Sequence, residues 1–217
     1  MKKLFALGGV VLLAVLFSGC GEMLHREIVV QSQSARSDIF AEVDKDAPVP
    51  AEFGAVQIKA SIKTRHKGYY ASNLGTPNVG KSGFPFLLNI DGQAAEWKID
   101  GEKENTPRFE KGMLMPEGGE GMRYILNKTI RVKKGPHRVF FGLSRDNIIQ
   151  EFDLNIKEGP STLEIIPVYK SDPIIDIRRP ENNEASYAYG IKRLDVYYDG
   201  ERIKTLPDTV LMKIFGQ

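Results

Sequence analysis

The 217-residue chain has one cysteine, Cys20, and three histidines, His25, His66 and His137. A single thiol closes no intrachain disulfide and builds no cysteine-based zinc site, and three scattered imidazoles leave little for a histidine-rich metal centre. Net charge is nearly absent as well. Thirty Lys and Arg stand against 28 Asp and Glu, and if Lys2 and Lys3 leave with the segment discussed below, 28 of each remain. A chain so balanced carries no electrostatic footprint for nucleic acid. The longest apolar run falls short of the ~20 residues that a membrane-crossing helix needs. No stripe at the helical period extends beyond about ten residues. The 21 Gly and 12 Pro are too many for a helical bundle or a coiled coil.

What is present begins with an address. Met1-Lys2-Lys3 is a short cationic start, and Leu4 to Phe17 is an uncharged apolar run of 14 residues. That length fits the central region of a secretory signal rather than a bilayer span. Small residues then lead directly to the only cysteine, and Leu16-Phe17-Ser18-Gly19-Cys20 resembles the lipobox of bacterial lipoproteins, with Phe17 where leucine is commonest. The resemblance implies that residues 1–19 are a signal peptide cleaved just before Cys20, whose sulfur carries a thioether-linked diacylglycerol. Gly21, rather than Asp, follows the cysteine, which in Gram-negative relatives implies delivery to the outer membrane. One acyl chain binds a bilayer only marginally, so the three chains typical of such lipoproteins make the attachment durable.

Residues 20–54 read as the lipidated cysteine and a flexible tether. Gln31 to Asp38 is polar, and Asp44-Lys45-Asp46-Ala47-Pro48-Val49-Pro50 is charged and broken by proline. From residue 55 to 217 the two-residue period dominates. Val56, Ile58, Ala60 and Ile62 alternate with Gln57, Lys59, Ser61 and Lys63, as a half-buried strand requires. Phe86, Leu88 and Ile90 run into Asp91-Gly92, and Trp97 and Ile99 into Asp100-Gly101. Tyr124, Leu126, Ile130 and Val132 share one face of the next strand, and after Lys133-Lys134-Gly135-Pro136 a return strand carries Val139, Phe141 and Leu143. Phe152 to Ile156, Leu163 to Val168, and Leu194 to Tyr198 before Asp199-Gly200 complete the set. The expectation is an all-β domain over 55–217, a mostly antiparallel β-sandwich of about eight strands. Pro207 to Phe215 fits either a short terminal helix or a last strand. From Phe86 to Tyr169 this pattern of strands and turns resembles the immunoglobulin-like or PEGA-type β-modules of envelope proteins, which implies an architecture and no activity.

One motif points elsewhere. Gly75-Thr76-Pro77-Asn78-Val79-Gly80-Lys81-Ser82 matches GxxxxGK[ST] and resembles the phosphate loop of nucleotide-binding GTPases. Such a loop is fed by a buried apolar strand and opens a helix whose N-terminus faces the phosphates. Here His66 to Asn73 is polar, Gly83 and Pro85 fall where the first helical turns belong, and Phe86 to Ile90 reads as a strand. The match is read as chance, with no nucleotide and no other cofactor expected.

His137 follows a Gly-Pro turn and is expected to hydrogen-bond locally, because no nucleophile elbow accompanies it. His66 sits in a basic run, Lys63 to Lys67, read as a solvated strand end. Asp44 with Asp46, and Glu117 with Glu120, lack the ligand spacing of a Ca²⁺ loop, so no metal site is expected. Charge is unevenly laid out: Met122 to Arg145 holds seven Lys and Arg and no acid, whereas Asp91 to Glu120 holds eight acids. Either these segments neutralise one another on the surface, or a cationic face is turned toward anionic lipid or polymer. Two long irregular stretches concentrate Tyr69, Tyr70, Tyr187 and Tyr189 beside Arg178 and Arg179, a composition suited to contact with a protein or a glycan. The functional expectation is a non-enzymatic, lipid-anchored binding or structural module of the cell envelope, on the periplasmic side of the outer membrane. Its partners are then the membrane and another envelope protein or a glycan. The alternative is an envelope hydrolase or carbohydrate-processing enzyme with a site dispersed in sequence.

Overall fold

Apolar side chains recurring at every second position of β2 (Phe53–Thr64) and β8 (Gly119–Lys133) turn to one side of the backbone, and the antiparallel register brings them together. Val56 lies opposite Ile130, Ala60 opposite Leu126 and Ile62 opposite Tyr124. These two strands form the centre of the fold in the computed structural model, which describes residues 36–44, 47–65, 83–143, 146, 148–171 and 185–205. The signal peptide, Cys20, the Gly75–Ser82 motif and the C-terminal stretch from Pro207 lie outside the described residues, as do Tyr69, Tyr70, Arg178 and Arg179.

The chain is all-β, as expected, with thirteen strands among the described residues rather than about eight. Around β2 and β8 the larger sheet adds β1 (Phe40–Glu42), β11 (Pro160–Tyr169), β12 (Ile191–Tyr198) and β13 (Glu201–Arg202) in the order β1-β8-β2-β11-β12-β13; β5 (Glu102–Thr106) also pairs with β8. The smaller sheet runs β10 (Ile148–Ile156), β9 (Gly135–Leu143), β3 (Phe84–Ile90), β4 (Gln93–Ile99). A separate hairpin joins β6 (Phe109–Glu110) to β7 (Met113–Leu114). Every pairing is antiparallel except that of β2 with β11. The sheets pack as an open sandwich whose inner faces exclude water. Phe84 bridges them: its ring centroid is 4.9 Å from that of Tyr124 and 5.2 Å from that of Phe86, which in turn meets Phe141 at 6.2 Å.

Two of the three Asp-Gly dipeptides make the expected hairpins. Asp91-Gly92 and Asp199-Gly200 both have positive φ at both residues, as a two-residue turn between twisted strands requires. Asp100-Gly101 does not, and the chain there passes from one sheet to the other. Gly101 is required by crowding instead, since a Cβ would stand 2.4 Å from the Tyr124 ring. The expected return strand after Lys133 is also corrected. β9 does not pair with β8, because β8 already has β2 on one edge and β1 and β5 on the other. The chain crosses to the second sheet, so the apolar rows of β8 and β9 face each other through the core.

The expected tether ends earlier than residue 54. Ile39 and Phe40 are buried, and β1 pairs with Ile130 to Val132. Gln93 of the smaller sheet fastens this segment: its side-chain carbonyl accepts from Ile39 N at 2.9 Å and Phe40 N at 3.2 Å, and its amide donates to Phe40 O at 2.7 Å. The apolar pair Ile39-Phe40 gives this stretch a core contribution that its polar surroundings conceal.

Candidate functional site

Lys63 occupies a polar position of β2, on the face turned away from the core with Gln57, Lys59 and Ser61. That register was expected, but the expected solvated strand end is corrected at Lys63, which is 1% exposed. It is covered because the connection between β5 and β8, residues 107–118, folds back as an arm over this end of the sheet. A buried ammonium needs all its protons accepted. Lys63 Nζ donates to Glu117 O at 2.7 Å, Gly119 O at 2.7 Å and Thr106 Oγ1 at 3.0 Å, and lies 3.2 Å from a Glu104 carboxylate oxygen. The ring of Tyr187 supplies a further cation–π contact, 5.1 Å from Nζ to its centroid. Gly121 leaves room for the lysine stem, since a Cβ there would sit 2.8 Å from Lys63 Cε.

Arg123 of β8 completes the cluster. It pairs with Glu104 at 2.8 Å and Glu117 at 2.6 Å, and Nη1 donates to Ser61 Oγ at 3.1 Å. Burial alone would lower the affinity of Arg123 for its proton, but the two carboxylates reverse this and hold it above its ordinary value. Burial likewise pushes the Glu104 carboxyl up, and Arg123 and Lys63 outweigh it, leaving Glu104 below the usual range. Tyr169 OH donates to Glu117 Oε1 at 2.6 Å and accepts from Lys63 N at 3.2 Å. Burial first, then the Glu117 charge, drives that phenol well above its ordinary value. Two cations and two anions therefore neutralise one another beneath the arm. The carboxylates are committed to cations, and the arrangement clamps the arm rather than poising an acid against a base.

The clamp fixes one wall of an open groove of about 660 Å³ on the outer face of the larger sheet. Met115, Pro116 and Glu117 line one side, Ile125 and Ile166 lie on the sheet, and Lys59 and Glu164 mark the far rim. Ile125 is 62% exposed although it sits in a central stretch of β8. Beside the groove projects the β6–β7 hairpin, turned by Lys111-Gly112 with both residues at positive φ. Its Phe109 and Met113 are 63% and 67% exposed. Met115 N donates to Arg108 O at 2.8 Å, so the hairpin runs directly into the groove wall.

Of the expected contact residues, Tyr187 is corrected: it is buried, its hydroxyl donates to Glu120 O, and its ring packs edge-on against Tyr169 at 6.5 Å. It seals the clamp. Tyr189 is exposed on the same short 3-10 turn, Tyr187–Tyr189. His137 packs locally, with Nδ1 2.7 Å from Asp91 Oδ2 and Nε2 2.6 Å from Lys133 O. Much of the basic stretch is offset by acids outside Asp91 to Glu120, since Lys128 pairs with Glu42, Lys133 with Asp38, Lys134 with Glu158 and Arg138 with Glu151. Directly after the Gly75–Ser82 segment stands strand β3, from Phe84, where a phosphate loop needs a helix. Among the described residues no cluster of His, Cys, Asp and Glu is suited to hold a metal, and no helix is long and apolar enough to cross a membrane.

The groove and hairpin were missed in the sequence, although each leaves a signal. Tyr124-Ile125-Leu126 and Ile165-Ile166 break the alternation, and in a strand the extra apolar residue must face outward. Phe109-Glu110-Lys111-Gly112-Met113 places a turn dipeptide between apolar residues. Comparison with family models, curated proteins and solved structures finds no match to the chain.

Proposed function

We propose that this protein is a non-enzymatic module of the cell envelope, lipid-anchored through Cys20, that binds a protein partner through the apolar groove and the adjoining hairpin. The observation that carries the reading is the exposure of Met115, Ile125 and Ile166 on one concave surface rimmed by charges, next to a hairpin on which Phe109 and Met113 are exposed as well. Large exposed apolar side chains so grouped mark a contact surface, whereas scattered ones do not. The polar groups at the inner end, Arg123, Glu117 and Tyr169, bind one another, which favours a protein partner over a glycan and leaves none of the three free to act as an acid or base in hydrolysis.

The geometry also suits an anchored binder. The chain from Cys20 enters at β1, beside Val132, while the arm joins β8 at Gly119. Thirteen residues of strand separate these points, about 43 Å at the usual rise. At most the 15 residues 21–35 lie between Cys20 and the described fold. The arm that walls the groove thus lies at the opposite end of the larger sheet from the point where the chain enters at β1.

Two variants of the full chain test the two halves of this reading. Cys20→Ala is expected to shift the protein from the membrane fraction to the soluble fraction; an unchanged distribution overturns the anchor. Ile125→Glu is expected to abolish capture of the partner from solubilised envelope without moving the thermal unfolding midpoint. Identical captured proteins from the native chain, Ile125→Glu and Phe109→Asp would overturn the contact surface.

A further inference from the structure

We infer that the partner seated in this groove is a second copy of the same chain, each copy inserting its β6–β7 hairpin into the groove of the other. The inference rests on the reading of the groove as a contact surface and names its occupant. A two-fold pairing requires that a projection and a matching recess lie side by side on one face, so that one rotation satisfies both at once. The arm meets that condition: the hairpin carrying Phe109 and Met113 runs into Met115, which is itself a wall of the recess. Met113 and Glu110 stand opposite each other in the hairpin and share one of its faces, so that face offers an apolar side chain beside a charged one, and the recess of about 660 Å³ is ample for the thioether.

Charge matches in the same sense. The far rim of the groove presents Lys59 and Glu164, which stand opposite each other in the parallel register of β2 and β11. The hairpin tip presents Glu110 and Lys111 at its turn. Inserting the tip brings one acid and one base to one base and one acid, and the complementary arrangement sets Glu110 against Lys59 of the second copy and Lys111 against its Glu164. None of these four is engaged in an ion pair within its own chain among the described residues. The hairpin also arrives preorganised. The Lys63 and Arg123 clamp holds its base, so little ordering entropy is lost on docking.

Co-expression of two full-length variants with different affinity tags tests this directly, one Met113→Cys and the other Ile166→Cys, both retaining Cys20. A disulfide-linked dimer carrying both tags is expected, while each variant expressed alone gives none, because hairpin meets groove and not hairpin. Native mass spectrometry of the unmodified full chain in detergent is expected to give twice the monomer mass. Ile125→Glu, at an exposed position that does not disturb folding, should raise the dimer dissociation constant about tenfold or more. Lys111→Glu should weaken the dimer and Glu164→Lys in the same chain restore it. A monomeric mass at every concentration, with no mixed-tag disulfide, overturns the inference. If that monomer still captures another envelope protein in an Ile125-dependent way, the contact surface stands and only its occupant is wrong. If Cys20→Ala binds anionic vesicles and Phe109→Asp abolishes this, the hairpin belongs to the bilayer and the inference likewise fails.

Discussion

Between the two sheets, Phe84, Phe86, Tyr124 and Phe141 fill space with apolar surface; beneath the arm, a few ångströms of protein are filled by Lys63, Arg123, Glu104 and Glu117. Both regions bury a large side chain completely, Phe141 in one and Lys63 in the other, and they do so on opposite terms. Apolar packing is non-directional and tolerates volume-conserving change, whereas the ionic clamp holds only while every partner is present. The first region makes the sandwich stable. The second makes one surface feature, the arm, occupy one position, at a cost in desolvation that an apolar filling would avoid.

The contrast can be broken from either side. Phe141→Ala, a large deletion in the sandwich core, should cost about 3–5 kcal/mol and lower the unfolding transition of the whole domain. Lys63→Ala should cost about 3 kcal/mol, since the carbonyls of Glu117 and Gly119 lose their donor and Glu104 a cation. Hydrogen exchange should place most of that loss in residues 102–119, whereas for Phe141→Ala it spreads over both sheets. Uniform loss of protection in Lys63→Ala would show that the arm and the core are one cooperative unit.

pH separates the regions further. The folded state holds the Glu104 carboxyl below its ordinary value, so its contribution is present above about pH 4.5 and is lost as pH falls through the lowered value. Tyr169 is held above its ordinary 10.0, so its contribution is complete below pH 10 and declines above it. Acid and alkali should therefore both release the arm while the apolar core persists, visible as loss of exchange protection in residues 102–119 at each extreme. Of the four tests the smallest effect belongs to Gln93→Ala. Removing the amide that fastens β1 should cost about 1–2 kcal/mol and expose Ile39 and Phe40 to limited proteolysis.

The same contrast decides what was legible in the sequence. Val56 to Ile62, Phe86 to Ile90, Tyr124 to Val132 and Val139 to Leu143 announce the sandwich because burial on one face imposes a two-residue period on local sequence. The clamp imposes none. Glu102 to Thr106 is a strand made of polar residues, stabilised by backbone pairing with β8 and by cations that are distant in sequence. Lys63 follows the polar rhythm of β2 faithfully and is buried nonetheless, because what covers it is an arm more than forty residues downstream. Sheet membership was hidden for a related reason. Alternation says which face of a strand is apolar, not which strand lies beside it, so the passage from β8 to β9 reads as a hairpin until the edges of β8 are seen to be occupied. The candidate contact surface rested on tyrosine composition, which cannot distinguish Tyr187, sealing the clamp, from a side chain offered to a partner.

The attachment of β1 has a mechanical consequence. A pull on the chain from its N-terminal side reaches the fold at the short β1 pairing, the Gln93 amide and the side-chain bonds of Asp38 and Glu42 to Lys133, Lys128 and Trp97, before it loads any of the long strands. Under tension this short strand peels first and frees residues 36–52, adding roughly 55 Å of reach at full extension while β2 and everything behind it stay folded. The entry strand thus behaves as a fuse and a length reserve, sparing the far end of the sheet whenever the chain is drawn out from its N-terminal side.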